Sequence, residues 1–148
     1  MNQKDNDHIA RASATVNAPI SKVWSALVEP ATIRKYMMGA NVVTDWREGS
    51  SIVWEGEWEG KAYRDKGTIV RNEPERLLQY SHFSPLTGEP DVPENYHIVT
   101  IALSEEGAGT KVALTQDNND SDEARAHSEK NWTGMLEGLK KIVESSSP

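Results

Sequence analysis

The chain has 148 residues and a mass of 16.5 kDa, the size of one domain, and 36% of its residues are hydrophobic. Its 16 basic and 23 acidic residues give a formal net charge of −7, and the basic residues are at most paired, as in Lys140-Lys141, which argues against nucleic acid as a partner. The absence of cysteine excludes disulfides, thiolate metal sites and cysteine nucleophiles, and no apolar run approaches the roughly 18 residues of a membrane span.

A single domain is expected over 9–144, with frayed ends at 1–8 and 145–148. The polar start lacks the apolar stretch of a secretory signal, so a cytoplasmic location is expected. Ile9 to Val16 alternates small polar with apolar residues and reads as a strand. Pro19 suits a first helical turn, and Val23, Trp24, Leu27 and Val28 share one helical face. Glu29-Pro30 ends that helix and begins another, with Ile33, Tyr36 and Met37 on one side.

Strand signals follow. Ser51 to Glu57 places Ile52 and Trp54 on one face and Val53, Glu55 and Glu57 on the other. In Tyr63 to Arg71, Tyr63, Gly67 and Ile69 share a parity, and Asn72-Glu73-Pro74-Glu75 forms a turn. Arg76 to Phe83 has two readings, either Leu78, Tyr80 and His82 inward or Leu77, Gln79 and Phe83. Ser84 to Glu94, with three prolines, reads as a loop. His97, Val99, Ile101 and Leu103 form an inward row, continued after a hairpin at 105–109 by Val112, Leu114 and Gln116. Trp132, Met135, Leu136, Leu139, Ile142 and Val143 then make the stripe of a long helix, for which Asp120 and Glu123 have capping-box spacing. Together these predict an α+β fold: one strand, two short helices, five or six antiparallel strands curved around a long C-terminal helix.

The run Val16-Asn17-Ala18-Pro19-Ile20-Ser21-Lys22-Val23-Trp24-Ser25-Ala26-Leu27 resembles the ApxxxVWxxL opening of the SRPBCC (START, birch-pollen-allergen-like) superfamily. Gly67-Thr68-Ile69-Val70 with Pro74-Glu75-Arg76-Leu77, then Gly109-Thr110-Lys111-Val112, resemble its branch related to the activator of heat-shock-protein-90 ATPase. The terminal Trp132-Thr133-Gly134-Met135-Leu136-Glu137-Gly138-Leu139-Lys140 is similar to that branch's GWxxxLxxLK. Two positions depart from the pattern: Asn131 replaces a Gly, and Tyr36 stands where Trp is common. The resemblance implies a helix-grip fold with a cavity between sheet and helix that takes apolar or amphipathic small molecules. A minority of such proteins are enzymes, for example polyketide cyclases. The eukaryotic activator's separate N-terminal domain has no room in 148 residues, so chaperone contact is the less expected role.

The cavity-lining candidates are therefore Trp54, Tyr63, Tyr80, Trp132 and Met135, with His97, Gln116 and Asn131 as polar members. An inward polar group needs a partner, which is why His97 and Gln116, each extending an apolar row, stand out. His127 lies one turn before Asn131 and is expected in solvent. Glu55, Glu57 and Glu59 are expected on the solvated face rather than as a hydrolase pair. No metal or cofactor is expected: the four histidines have no ligand spacing, and Asp117 to Asp122 lacks the glycine and the Glu of an EF-hand loop. The leading expectation is a small-molecule-binding protein without catalytic residues, a homodimer being compatible. The alternatives are a cyclase- or hydrolase-like enzyme using His97, and a stress-related co-chaperone-like interaction protein.

Overall fold

A computed structural model describes residues 8–37 and 39–145. The ends expected to fray fall outside the described residues, except His8 and Ser145. In chain order the elements are β1 (Ala10–Val16), α1 (Ile20–Val28), α2 (Pro30–Tyr36), β2 (Asn41–Val43), β3 (Ser51–Trp58), β4 (Lys61–Glu73), β5 (Leu77–His82), β6 (His97–Glu106), β7 (Gly109–Gln116) and α3 (Asp122–Ser145). The strands form one antiparallel sheet in the order β1-β7-β6-β5-β4-β3-β2. This is the α+β helix-grip arrangement, with the sixth strand after the helices supplied by the short β2. Three residues are too few for an alternation pattern, so β2 left no readable signal.

The helix boundaries follow from local chemistry. Glu29 is extended, closes α1 through its own N–H to the Ser25 carbonyl, and precedes Pro30 at the start of α2. For α3 the expected Asp120 cap is displaced by one residue. Ser121 Oγ accepts the Ala124 N–H at 3.1 Å, and Asp122 and Glu123 lie in the first turn, where the helix dipole favours acids. The stretch read as a loop between β5 and β6 contains two single 3₁₀ turns, Pro85–Thr87 and Pro93–Asn95.

The concave face of the sheet and the apolar stripe of α3 enclose the core. Ile52, Ile69, Leu78, Leu114, Leu136 and Leu139 are almost wholly buried in it. Leu78 and Tyr80 are buried and His82 packs edge-on to Trp54, which settles the parity of β5 as Leu78/Tyr80/His82. The opposite parity is half-exposed, with Gln79 donating to Thr100 Oγ1 at 3.0 Å on the outer face. Phe83, just past the strand, is buried by stacking on Tyr96. Curvature comes from β4, whose pairing with β5 slips between Ile69 and Arg71. At Gly67 the two strands approach so closely that a Cβ would lie 1.8 Å from the Ser81 carbonyl oxygen.

Candidate functional site

Around Met135 the chain's own side chains fill most of the space between sheet and α3. The remaining inner hollow, bordered by Leu27, Trp46, Ile52, Ile101 and Met135, amounts to about 20 Å³, the room of about one water. The sizeable cavity expected there is thus largely occupied, Met135 and Trp54 serving as packing. Tyr36 helps to close it. Its hydroxyl donates to the Ala26 carbonyl at 2.8 Å, and burial, with Tyr80 nearby, raises its pKa well above the ordinary phenol range.

Outward from this hollow lies a second, open on one side, of about 120 Å³. The two share Met37, Trp54 and Tyr80 as walls. Trp132, one helical turn before Met135, and Tyr63 flank the outer space, and Ala40 leaves room in it. Tyr63 projects there because the residue opposite it across β3 and β4 is Gly56. Trp54 sits 5.2 Å from the Tyr80 ring and 5.0 Å from the His82 ring, centroid to centroid, so four aromatic rings and one imidazole border one space.

Asp65 and His82 supply the polar chemistry of that space. His82 Nε2 lies 2.9 Å from Asp65 Oδ2, with the two side chains 30% and 16% exposed. The second carboxylate oxygen, Asp65 Oδ1, is buried and has no hydrogen-bond partner among the described residues. Burial and then the charge of Asp65 raise the pKa of the Tyr63 hydroxyl. Sequence reasoning passed over this pair although the signal was present. Position 65 falls between Tyr63 and Gly67 in the inward parity, and position 82 follows Tyr80 in the other.

The polar candidates lie elsewhere. Gln116, 8% exposed, accepts the Trp132 indole N–H and donates to Asn119 Oδ1 at 3.4 Å. Asn119 in turn accepts Ser128 Oγ at 2.9 Å and donates to the His8 carbonyl at 2.8 Å. Gln116 is therefore a strut between β7 and α3. His97 Nδ1 contacts the Asp117 carbonyl at 2.9 Å, and His97 and Gln116 together border a separate, polar depression of about 390 Å³ with Glu94 and Asn118. That position takes His97 away from the aromatic hollow. Asn131 is exposed on α3 and borders neither hollow, because the stripe that faces the sheet runs through Trp132 and Met135. His127 is exposed as well, and Glu55 pairs with Arg64 on the outer face. Among the described residues no group of three or more His, Asp and Glu side chains is gathered to hold a metal ion, and no helix is long and apolar enough to cross a membrane.

The sequence profile of the family described as Activator of Hsp90 ATPase homolog 1-like protein matches residues 17–144. Among solved structures, the chain is similar to ChR145 from Cytophaga hutchinsonii, with 59% identity over 93% of this chain and 94% of that one, at a TM-score of 0.82. It is also similar to CalU16 from Micromonospora echinospora, with 25% identity, 91% and 83% coverage and a TM-score of 0.70. DynU16, a protein of the dynemicin biosynthetic locus, shares the fold at 17% identity and a TM-score of 0.78, over 96% of this chain and 49% of that one. No curated protein matches the chain.

Proposed function

The chain belongs to the family of Activator of Hsp90 ATPase homolog 1-like proteins, and from that membership and the site geometry we propose that it is a binding protein for an amphipathic small molecule. The observation that carries this reading is the outer hollow, open to solvent, walled by aromatic rings and holding the Asp65–His82 pair at one side. An apolar body fits against Trp54, Tyr80 and Trp132, and the polar end meets the carboxylate and the imidazole. About 120 Å³ is slightly less than the roughly 150 Å³ of an engineered cavity that takes benzene, so the protein holds one end of a guest. The rest of the guest projects into solvent or displaces the shared wall of Met37.

The test is a thermal-shift and native-mass-spectrometry screen against flavonoids, fatty acids and polyketides. A saturable shift that disappears in Ala40→Leu, which fills the hollow from its small wall, supports the reading. A complete absence of binding overturns it and favours an interaction role, for which stimulation of a chaperone ATPase is the direct assay. Turnover of a bound compound, lost in His82→Ala but kept in His97→Ala, would make the site catalytic.

A further inference from the structure

The outer hollow combines two features that together select a sign of charge. One is the rim of Trp54, Tyr63, Tyr80 and Trp132. Aromatic faces carry negative potential and attract a cation placed over them. The other is Asp65, whose Oδ2 is taken by His82 Nε2 at 2.9 Å while Oδ1 is buried without a donor among the described residues. A buried carboxylate oxygen with no donor is costly, so a hydrogen-bond donor from outside the chain is strongly favoured there. Lys66 does not fill that role. It follows Asp65 in β4 but lies on the opposite strand face, where it pairs with Asp91. The formal net charge of −7 adds long-range attraction for a cation.

We propose that the outer hollow binds the protonated amine head of a small amphipathic ligand, with Asp65 as counter-ion and the surrounding rings as a cation-binding cage. This rests on the ligand-binding reading above and specifies the chemistry of the guest. The ammonium donates one hydrogen bond to Asp65 Oδ1 and presents its remaining positive edge to the rings. His82 holds Oδ2 and so fixes the plane of the carboxylate. The alkyl or aryl portion of the ligand lies toward Met37, the wall shared with the inner hollow.

A matched series of probes tests this: hexylamine, hexanol and hexanoate, titrated into the full chain and followed by calorimetry and by the indole signals in two-dimensional NMR. The expected result is that hexylamine binds about tenfold or more tighter than hexanol, as a charge-assisted bond requires, and that hexanoate binds least. In Asp65→Asn the amine falls to the level of the alcohol, and the alcohol is unaffected. If hexanol binds in the hollow and hexylamine binds no better, the cation inference is overturned and the pocket reading stands. If none of the three perturbs the Trp54 and Trp132 signals, the cation inference falls, and the screen of flavonoids, fatty acids and polyketides decides the pocket reading. If Asp65→Asn does not fold, the ranking of the three probes on the unaltered protein decides alone. A quaternary hexyltrimethylammonium then separates cage from hydrogen bond: it retains affinity if the rings dominate and loses it if the bond to Oδ1 does.

Discussion

Gly56 stands opposite Tyr63 across β3 and β4, and the tyrosine ring covers it: a Cβ at Gly56 would lie 2.7 Å from the Tyr63 hydroxyl oxygen and 2.9 Å from Cζ. The atoms in the way are the far end of a side chain, so Gly56→Ala displaces the ring and leaves the backbone in place. The added Cβ also lowers the entropy of the unfolded chain by a few tenths of a kcal/mol to about 1 kcal/mol. We predict unfolding stability within about 1 kcal/mol of the unaltered protein. The Tyr63 ring signals should shift in aromatic NMR, and affinity for any guest of the outer hollow should change. An undisturbed Tyr63 spectrum would refute the contact.

Gly67 gives the opposite outcome from the same substitution. There the obstacle is backbone, the Ser81 carbonyl at 1.8 Å, at a place where Lys66 and Phe83 exchange backbone hydrogen bonds of 3.0 and 2.8 Å. Thr68 N–H also donates to Ser81 Oγ at 2.9 Å. Relief requires parting β4 from β5. Gly67→Ala is therefore expected to lose about 3 kcal/mol or more, measured as a lowered urea midpoint, whereas Gly56→Ala keeps its midpoint. Equal midpoints for the two variants would contradict the close approach at Gly67.

These two glycines mark where the sequence stops being legible. Alternation placed Ile52, Trp54, Ile69, Val99 and Leu114 in the core, because period-two burial is written residue by residue. The helical stripe of α3 was equally readable, and with it Trp132 and Met135. What alternation cannot supply is depth. It cannot say that Met135 and Trp54 border one nearly filled interior, or that the open space lies one helical turn away, at Trp132. Nor does it report pairing across strands. Asp65 and His82 were each readable as inward, yet their contact depends on the close approach of β4 and β5 near Gly67, seventeen residues apart along the chain. Asn131 lies outside the hollows for a related reason: on a helix with a narrow inward stripe, the neighbour of a half-buried residue such as Trp132 is exposed.

Gln116 offers a test of a buried polar strut. It accepts the Trp132 indole N–H and donates to Asn119, which is itself tied to Ser128 and to the His8 carbonyl. Gln116→Leu keeps the volume and removes both bonds. Because Trp132 is half-buried, water replaces part of the loss, and a cost of about 1–2 kcal/mol is expected. A double-mutant cycle with Trp132→Phe isolates the bond. A coupling energy of about 1 kcal/mol is expected, and additivity would mean that the two side chains act independently. The same variant should move the Trp132 indole proton signal and leave that of Trp24 in place.

The buried tyrosines set a limit on the alkaline side. Tyr80 is 6% exposed, and burial raises its pKa well above the ordinary value of 10.0; Tyr36 shifts the same way, by burial and by its proximity to Tyr80. A phenol whose pKa is raised by folding keeps its proton in the folded state after the unfolded chain has released its own. The stability this represents is fully present below about pH 10 and is lost as pH rises toward the folded-state value. Each such tyrosine steepens the loss by up to about 1.4 kcal/mol per pH unit. Urea midpoints followed from neutrality to about pH 11 should hold until the phenol range and then fall, with the Tyr36 and Tyr80 share of the phenolate absorbance rising together with unfolding rather than ahead of it. Tyr80→Phe removes the hydroxyl and keeps the ring, so it should flatten that fall. Tyr36→Phe should flatten it too, but from a lower starting stability, because it also removes the hydrogen bond to the Ala26 carbonyl. If Tyr80→Phe follows the unaltered protein throughout, the hydroxyl has access to solvent, and the wall between the inner and outer hollows is more open than its 6% exposure allows.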